Sequence, residues 1–415
     1  MSMDERKIKK KYFLKKRLFA LIFLGTIFSF SIINGLENYQ LIKEKITEKL
    51  NHEEYLPSEA VALIETTINE NLLGRVNFIE TYGFIQVLLN KKECNNFTYI
   101  KDEEGYLHYA TFYREADTQL FDYALRVKRL QDYVEKNGTK VLFVIPPSKY
   151  DKKLTEFGTG MPVNDPNPVV DEMLFYLNRM GIETLDMREF LPGDQISYEE
   201  TFFKTDHHWT IPAAFYATDA IKNKINESFG ENLDPNNYYS NIDNYDQVTY
   251  YSGMLGSMGR KTGANFCGIE DFTALWPKYE GSFKRESMFE NGNIVKKEGS
   301  FVEALMDTEV LTENTDLYTD SQYSLYLNGL CIYEKILNEN NPDGAKIFMI
   351  RDSYFSPVIS FMMPMCSEID AIWSLEDTHQ LDVEKSIVEN KYDYIIIEVY
   401  PYNINNNAFN YFKEP

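Results

Sequence analysis

The chain has 415 residues, 44% of them hydrophobic and 15% aromatic, which is the composition of a folded protein with a sizeable core. Lys and Arg number 42 against 64 Asp and Glu, a net charge of −22. The first seventeen residues hold eight bases against two acids, so the remainder stands at −28, which excludes a nucleic-acid backbone as the main partner. Cys94, Cys267, Cys331 and Cys366 have no CxxC or His-rich context, which argues against a structural zinc site. They permit two disulfides without requiring any.

Residues 1–17 predict a basic cytoplasmic tail, and Leu18–Leu36 is a run of uncharged residues. As a helix this run spans roughly 28 Å, about the thickness of a hydrocarbon core. The bases all precede it, so the positive-inside rule places the rest of the chain outside the cytoplasm. A cleaved signal peptide is the competing reading. Its only small-x-small site, Ser29-Phe30-Ser31, lies inside the apolar run, and an uncleaved single-pass anchor is preferred.

Residues 37–90 predict a helical stalk with charged faces and apolar residues three and four apart. From residue 91 the pattern alternates between helices and short apolar strands. A helix over 118–138, closed by Gly138, leads into the strand Lys140–Ile145, stopped by Pro146-Pro147. Next come a helix over 165–181, a strand over 182–187 and a helix over Ile211–Phe229. Near the end stand a strand at Ala345–Ile350, a helix at Pro357–Cys366 and a strand at Tyr392–Tyr400. Apolar strands separated by helices predict a parallel sheet covered on both faces, with the site at the strands' carboxyl ends. Residues 230–325, rich in Tyr, Asn, Asp and Gly, are read as a long insertion lining a cleft.

Two segments carry candidate chemistry. In Lys204–Thr210 (KTDHHWT), two histidines stand ahead of a helix that Thr210 caps and Pro212 starts. Asp206, two residues from His208, can orient that ring and stabilise its protonated form. In Arg351-Asp352-Ser353-Tyr354-Phe355 a serine comes after a strand and before a helix, where its amide and the helix dipole can stabilise an oxyanion. The bland readings are an N-cap for Asp-Ser, and a polar loop lock or metal ligands for the Asp-His-His group. The loop Ser252–Gly263 is read as a glycine-rich turn, with oxyanion donors or a grip on an anionic sugar as its alternative use.

TDHHWT with IPAAFYATDAI directly after it, and later IRDSYFSPVISFM, resemble the paired signatures of the DHHW/AlgJ–AlgX-type SGNH-hydrolase-like proteins, circularly permuted relatives of SGNH esterases. The resemblance covers residues 91–415 and implies a three-layer α/β/α domain with Ser353 as nucleophile, His208 as general base and Asp206 as orienting carboxylate. It leaves His207 and Trp209 as supporting residues, and Arg260, Arg351 and Tyr354 as further candidates near substrate or oxyanion. Two features depart from the pattern. The usual glycine before Asp-Ser is Arg351, and the Gly and Asn oxyanion blocks have no placeable counterpart, Asn403 being a weak candidate.

The resemblance implies a polysaccharide O-acetyltransferase needing no cofactor or metal. Its acetyl donor is supplied by a membrane-bound O-acyltransferase, and the domain faces the extracytoplasmic side. A carbohydrate acetylesterase with the same triad, or a catalytically silent polysaccharide-binding or assembly protein, are the alternatives.

Overall fold

The computed structural model describes residues 3–50, 57–112, 118–188, 196–289, 292–312, 315–328, 331–374, 383–405 and 407–413; His52 and His379 lie outside them. The chain divides into two compact units, Met1–Thr81 and Tyr82–Pro415.

In the first unit, the helix Met3–Leu50 contains a stretch long and apolar enough to cross a membrane, with exposed Leu18, Phe19, Leu21 and Ile22. A second helix, Pro57–Glu70, runs back antiparallel beside its later turns. Lys45 faces Glu70 at 3.8 Å, Asn38 Nδ2 donates to the Asn71 carbonyl at 3.4 Å, and Asn34 Oδ1 accepts the Leu73 amide at 2.8 Å. The Phe30 and Phe78 rings meet edge to face at 5.9 Å.

The second unit is built on an eight-stranded sheet. Its order is Glu183–Asp186, Lys140–Ile145, Tyr394–Glu398, Ala345–Arg351, Cys366–Trp373, Tyr333–Asn338, Phe283–Met288 and Ile294–Gly299. The first five strands are mutually parallel and the last three are added antiparallel. Alternation along the strands divides the core into two layers. Val141, Phe143, Ile145, Ile395 and Ile397 pack with the helices Leu120–Val134 and Asn167–Arg179. Leu142, Val144, Ile347, Met349 and Ile396 pack with Ile211–Phe229 and Ser356–Met362. The domain is therefore the expected three-layer α/β/α sandwich.

Local signals act as read. Gly138 takes φ +87° where the first of these helices ends, a conformation open to glycine at little cost. Thr210 Oγ1 accepts the Ala213 amide at the start of Ile211–Phe229. The segment Pro357–Cys366, expected to be wholly helical, stays helical only to Met362, tightens to a 3₁₀ turn through Met365 and enters the central strand Cys366–Trp373. Residues 230–325 supply the antiparallel hairpin Tyr245–Met254/Glu270–Pro277 and the two outer strands of the sheet. All four cysteines are free; burial raises the thiol pKa of Cys94 and of Cys267 to about 11.

Arg351 ends the strand that leads to Ser353. Its guanidinium is fully buried, 3.1 Å from the Glu334 carboxylate and over the Trp373 ring at 5.2 Å. Removing one member of such a pair strands a charge away from water, whereas removing both does not. Glu334→Leu is therefore expected to lower unfolding free energy by about 3–5 kcal/mol, and Glu334→Leu/Arg351→Met to recover most of it, as read by urea denaturation.

Candidate active site

The two motifs meet although 145 residues separate them. His208 Nε2 lies 2.7 Å from Ser353 Oγ, and His208 Nδ1 lies 2.6 Å from Asp206 Oδ1. A carboxylate only accepts, so Nδ1 carries the ring proton and Nε2 is left as the acceptor for the serine hydroxyl. This arrangement lets a hydroxyl pass its proton to an imidazole while a carboxylate holds the resulting cation.

The serine turn is held from below. Asp352 caps the 3₁₀ turn Ser353–Phe355, its Oδ1 accepting the Tyr354 amide at 3.0 Å. Its Oδ2 accepts the Tyr400 amide at 3.0 Å and Asn403 Nδ2 at 2.8 Å, so Asn403 braces the turn. The Asp352 amide donates to Glu398 Oε2 at 2.8 Å. Burial, then the neighbouring Asp352, pushes the Glu398 carboxyl well above the usual range. The Ser353 amide has no partner among the described residues and stands at the start of the turn, where an oxyanion would form.

The histidine loop is pinned at both ends. Phe203 N donates to the His208 carbonyl and Thr210 N to the Thr201 carbonyl, closing the loop on itself. The Glu270 carboxylate accepts the amides of Lys204 and Thr205, each at 2.7 Å, and the Thr205 hydroxyl. Gly256 N donates to Thr205 Oγ1 at 2.8 Å, and Ser257 N donates to Asp206 Oδ2 at 2.5 Å. The glycine-rich loop is thus the seat of Asp206. Burial opposes the Asp206 charge, but the His208 and His207 rings and the hydrogen bonds from His208 and Ser257 hold its pKa well below the usual value. Burial and His208 push His207 down to about 3.

Aromatic rings enclose His208. Tyr323 stacks on it at 3.9 Å and 14°, its hydroxyl donating to the Tyr354 carbonyl at 3.0 Å. Trp209 is fully buried and its Nε1 donates to the same carbonyl at 3.1 Å. Tyr354 is buried, stacks on Tyr400 at 4.4 Å and donates its hydroxyl to the His207 carbonyl. His207 Nδ1 meets Ser257 Oγ at 3.1 Å. Of the other candidates, Arg260 reaches the Thr319 carbonyl at 3.4 Å, and Arg351 is taken up by Glu334. Asp206, His207 and His208 offer ligand-type atoms within 4.8 Å of one another. A metal on His208 would have to displace Asp206 or Ser353 from its ring.

Several supports were not singled out in the sequence: Ser257, Glu270, Tyr323, Glu398 and Lys149. Only Lys149 left a signal, as the first cation after the Pro-Pro turn of an apolar strand. Its Nζ donates to the Leu107 carbonyl at 2.9 Å and the Lys204 carbonyl at 3.3 Å, and burial lowers its pKa to about 8.

With this geometry in view, the comparisons are consistent. The family model "SGNH hydrolase-like domain, acetyltransferase AlgX" matches residues 102–258. The structure of Bacillus cereus PatB1 with a sulfonyl adduct superimposes with a TM-score of 0.60, at 15% identity over 76% of this chain and 97% of that one. A DHHW family protein from Eubacterium siraeum gives 0.52, at 16% identity over 75% and 93%. No curated protein matches the sequence significantly. Residues 102–258, which include the motif with Asp206 and His208, thus match the model of an SGNH-hydrolase-like domain of the AlgX type, and the fold is shared with the two solved structures.

Two outcomes are expected from the supports. A Cβ at Gly256 would lie 2.4 Å from Asp206 Cβ and 2.6 Å from its amide nitrogen. Gly256→Ala is expected to cost about 1–3 kcal/mol of stability and to depress ester turnover, read by melting and by a chromogenic ester. Lys149 binds its proton less tightly folded than unfolded, so between about pH 8 and the ordinary lysine value near 10.4 its contribution to stability rises with pH. The parent is expected to gain stability relative to Lys149→Met between about pH 7 and about pH 10, in paired denaturation curves.

Proposed function

We propose that this chain is a membrane-anchored, extracytoplasmic SGNH-type O-acetyltransferase acting on a cell-surface polysaccharide. The observation that carries the reading is the unbroken contact from Asp206 through His208 to Ser353 Oγ at 2.6 and 2.7 Å. The match to an acetyltransferase-type family model supports the acyl chemistry. The apolar stretch in the first helix, preceded by bases, supports the anchor.

In the first half-reaction Ser353 Oγ attacks the carbonyl carbon of an acetyl ester and its proton passes to His208 Nε2. Asp206 holds the imidazolium, and the Ser353 amide donates to the oxyanion. Collapse breaks the bond to the departing alcohol, which takes the proton from His208 and leaves acetyl-serine. In the second half a sugar hydroxyl gives its proton to His208 and attacks that ester. Ser353 departs and recovers the proton. The donor is an acetyl group delivered by a membrane-bound O-acyltransferase.

The test measures turnover of a chromogenic acetyl ester by the full chain in detergent, with and without oligosaccharide acceptor. Ser353→Ala and His208→Ala are expected to lower it by roughly four to six orders of magnitude while leaving the fold intact by circular dichroism. A sulfonyl fluoride is expected to label Ser353 and abolish turnover. Activity unaffected by both substitutions would overturn the triad, and acetyl release to water unaltered by any acceptor would favour an esterase.

A further inference from the structure

Asn95, Asn96 and Phe97 take φ of +52°, +54° and +62°. Among the described residues no other run of three non-glycine residues stands in the left-handed region. Asparagine tolerates that conformation, but a phenylalanine there crowds its Cβ against the backbone. Neighbours enforce the turn. Glu93 Oε2 accepts the Phe97 amide at 3.3 Å, and Asn95 Nδ2 donates to the Lys261 carbonyl at 3.1 Å. Thr98 N and Oγ1 both donate to the Asn95 carbonyl, at 3.1 and 2.7 Å. Backbone strain of this kind persists only where the surroundings over-determine it, and it gathers at functional sites.

The strain does not serve the core. The Phe97 ring meets Phe112 edge to face at 5.2 Å, yet Phe112 is 73% exposed and neither ring joins a buried cluster. The pair stands at the active-site end of the small sheet formed by Glu93–Cys94, Tyr99–Lys101 and Leu107–Tyr109. At that end Tyr99 pairs with Tyr109, their rings 5.7 Å apart. The Tyr109 ring lies 6.0 Å from His207, whose ring lies 3.9 Å from His208. Phe97 precedes Tyr99 by two residues and Phe112 follows Tyr109 by three, roughly 10 Å of chain at most. The exposed neighbours of the pair, Asn95, Asn96 and Thr98, are amides and a hydroxyl. A flat apolar face bordered by uncharged polar groups suits a sugar ring, and one pair of rings is too small for a lipid or protein interface.

We propose that Phe97 and Phe112 form the subsite on which a sugar ring of the acceptor glycan stacks while its neighbour takes the acetyl group from Ser353. The proposal rests on the reading of the chain as a glycan O-acetyltransferase. The subsite acts in the second half-reaction, when water and a sugar hydroxyl compete for acetyl-serine. Holding the glycan beside the triad favours the hydroxyl by proximity, so the two rings set the partition between transfer and hydrolysis.

The test supplies the full chain in detergent with a chromogenic acetyl ester and with cellotetraose, chitotetraose or tetragalacturonate, and measures acetylated glycan against free acetate. Phe97→Gly and Phe112→Ala are each expected to lower that ratio roughly three- to tenfold, the effect of losing one aromatic contact. Phe175→Ala, which removes an exposed ring from the helix Asn167–Arg179, is expected to keep the parent's ratio. Glycine takes φ +62° without strain, so Phe97→Gly is also expected to melt no lower than the parent. A ratio unchanged in both variants overturns the proposal and leaves the acetyltransferase reading standing. A ratio that falls only in a variant melting well below the parent marks the rings as structural supports, which overturns it equally. If the parent turns over the ester but acetylates none of the three glycans, the acetyltransferase reading itself has failed, and the proposal falls with it.

Discussion

A proton can move from Ser353 to His208 only while two loops 145 residues apart in sequence are held at 2.7 Å, and much of the second unit serves that constraint. The serine loop is fixed by the sheet, since its strand ends where the next strand contributes Glu398, Tyr400 and Asn403 to hold Asp352. The histidine loop has no strand of its own beneath it. It is fixed instead by a carboxylate, Glu270, that gathers its amides, and by the backbone of 256–257. Rigid elements on one side and hydrogen-bonded backbone on the other converge on one contact. Shifting either loop by an ångström would cost the alignment on which proton transfer depends.

Electrostatics reinforces this geometry. Asp206 is buried yet kept charged by two imidazoles and two backbone amides, so it is a fixed anion that favours the tautomer with a proton on His208 Nδ1. A second buried carboxyl of the site, Glu398, has no comparable set of partners and moves the opposite way, toward the neutral acid. The difference lies first in the neighbours, two imidazoles beside Asp206 against a second carboxyl, Asp352, beside Glu398, and then in the hydrogen bonds each receives. Tyr323 adds a flat face against His208, which excludes water from one side of the base and limits the ring's rotation.

Much of this was legible in the sequence, and what was not has a common cause. The runs 140–145, 345–350 and 392–400 are apolar on successive residues and spell strands buried on both faces. Asp206 and His208 are two residues apart, and Ser353 sits at a strand-to-helix turn, so local spacing was enough to pick them out. The strand Cys366–Trp373 was hidden because Glu368 and Asp370 interrupt it, and they are satisfied by Lys335, Tyr333 and Tyr392 from elsewhere in the chain. Glu270 acts 65 residues from Thr205 and Ser257 acts 51 from Asp206. Neither type of residue announces such a role, since an exposed-looking glutamate and a loop serine gain it only from the fold. Arg351 in the place of a glycine made sense only once Glu334 was seen beside it.

The four cysteines, three of them buried and Cys267 partly so, have a consequence of their own. With thiol pKa values raised to about 11 for Cys94 and Cys267, and further up for the others, almost none of the sulfur is thiolate near neutral pH. The thiolate is the species that attacks disulfides and reacts with oxidants, so these side chains are chemically quiet. In the folded domain these thiols are kept from mispairing and oxidation by packing, not by being joined in pairs.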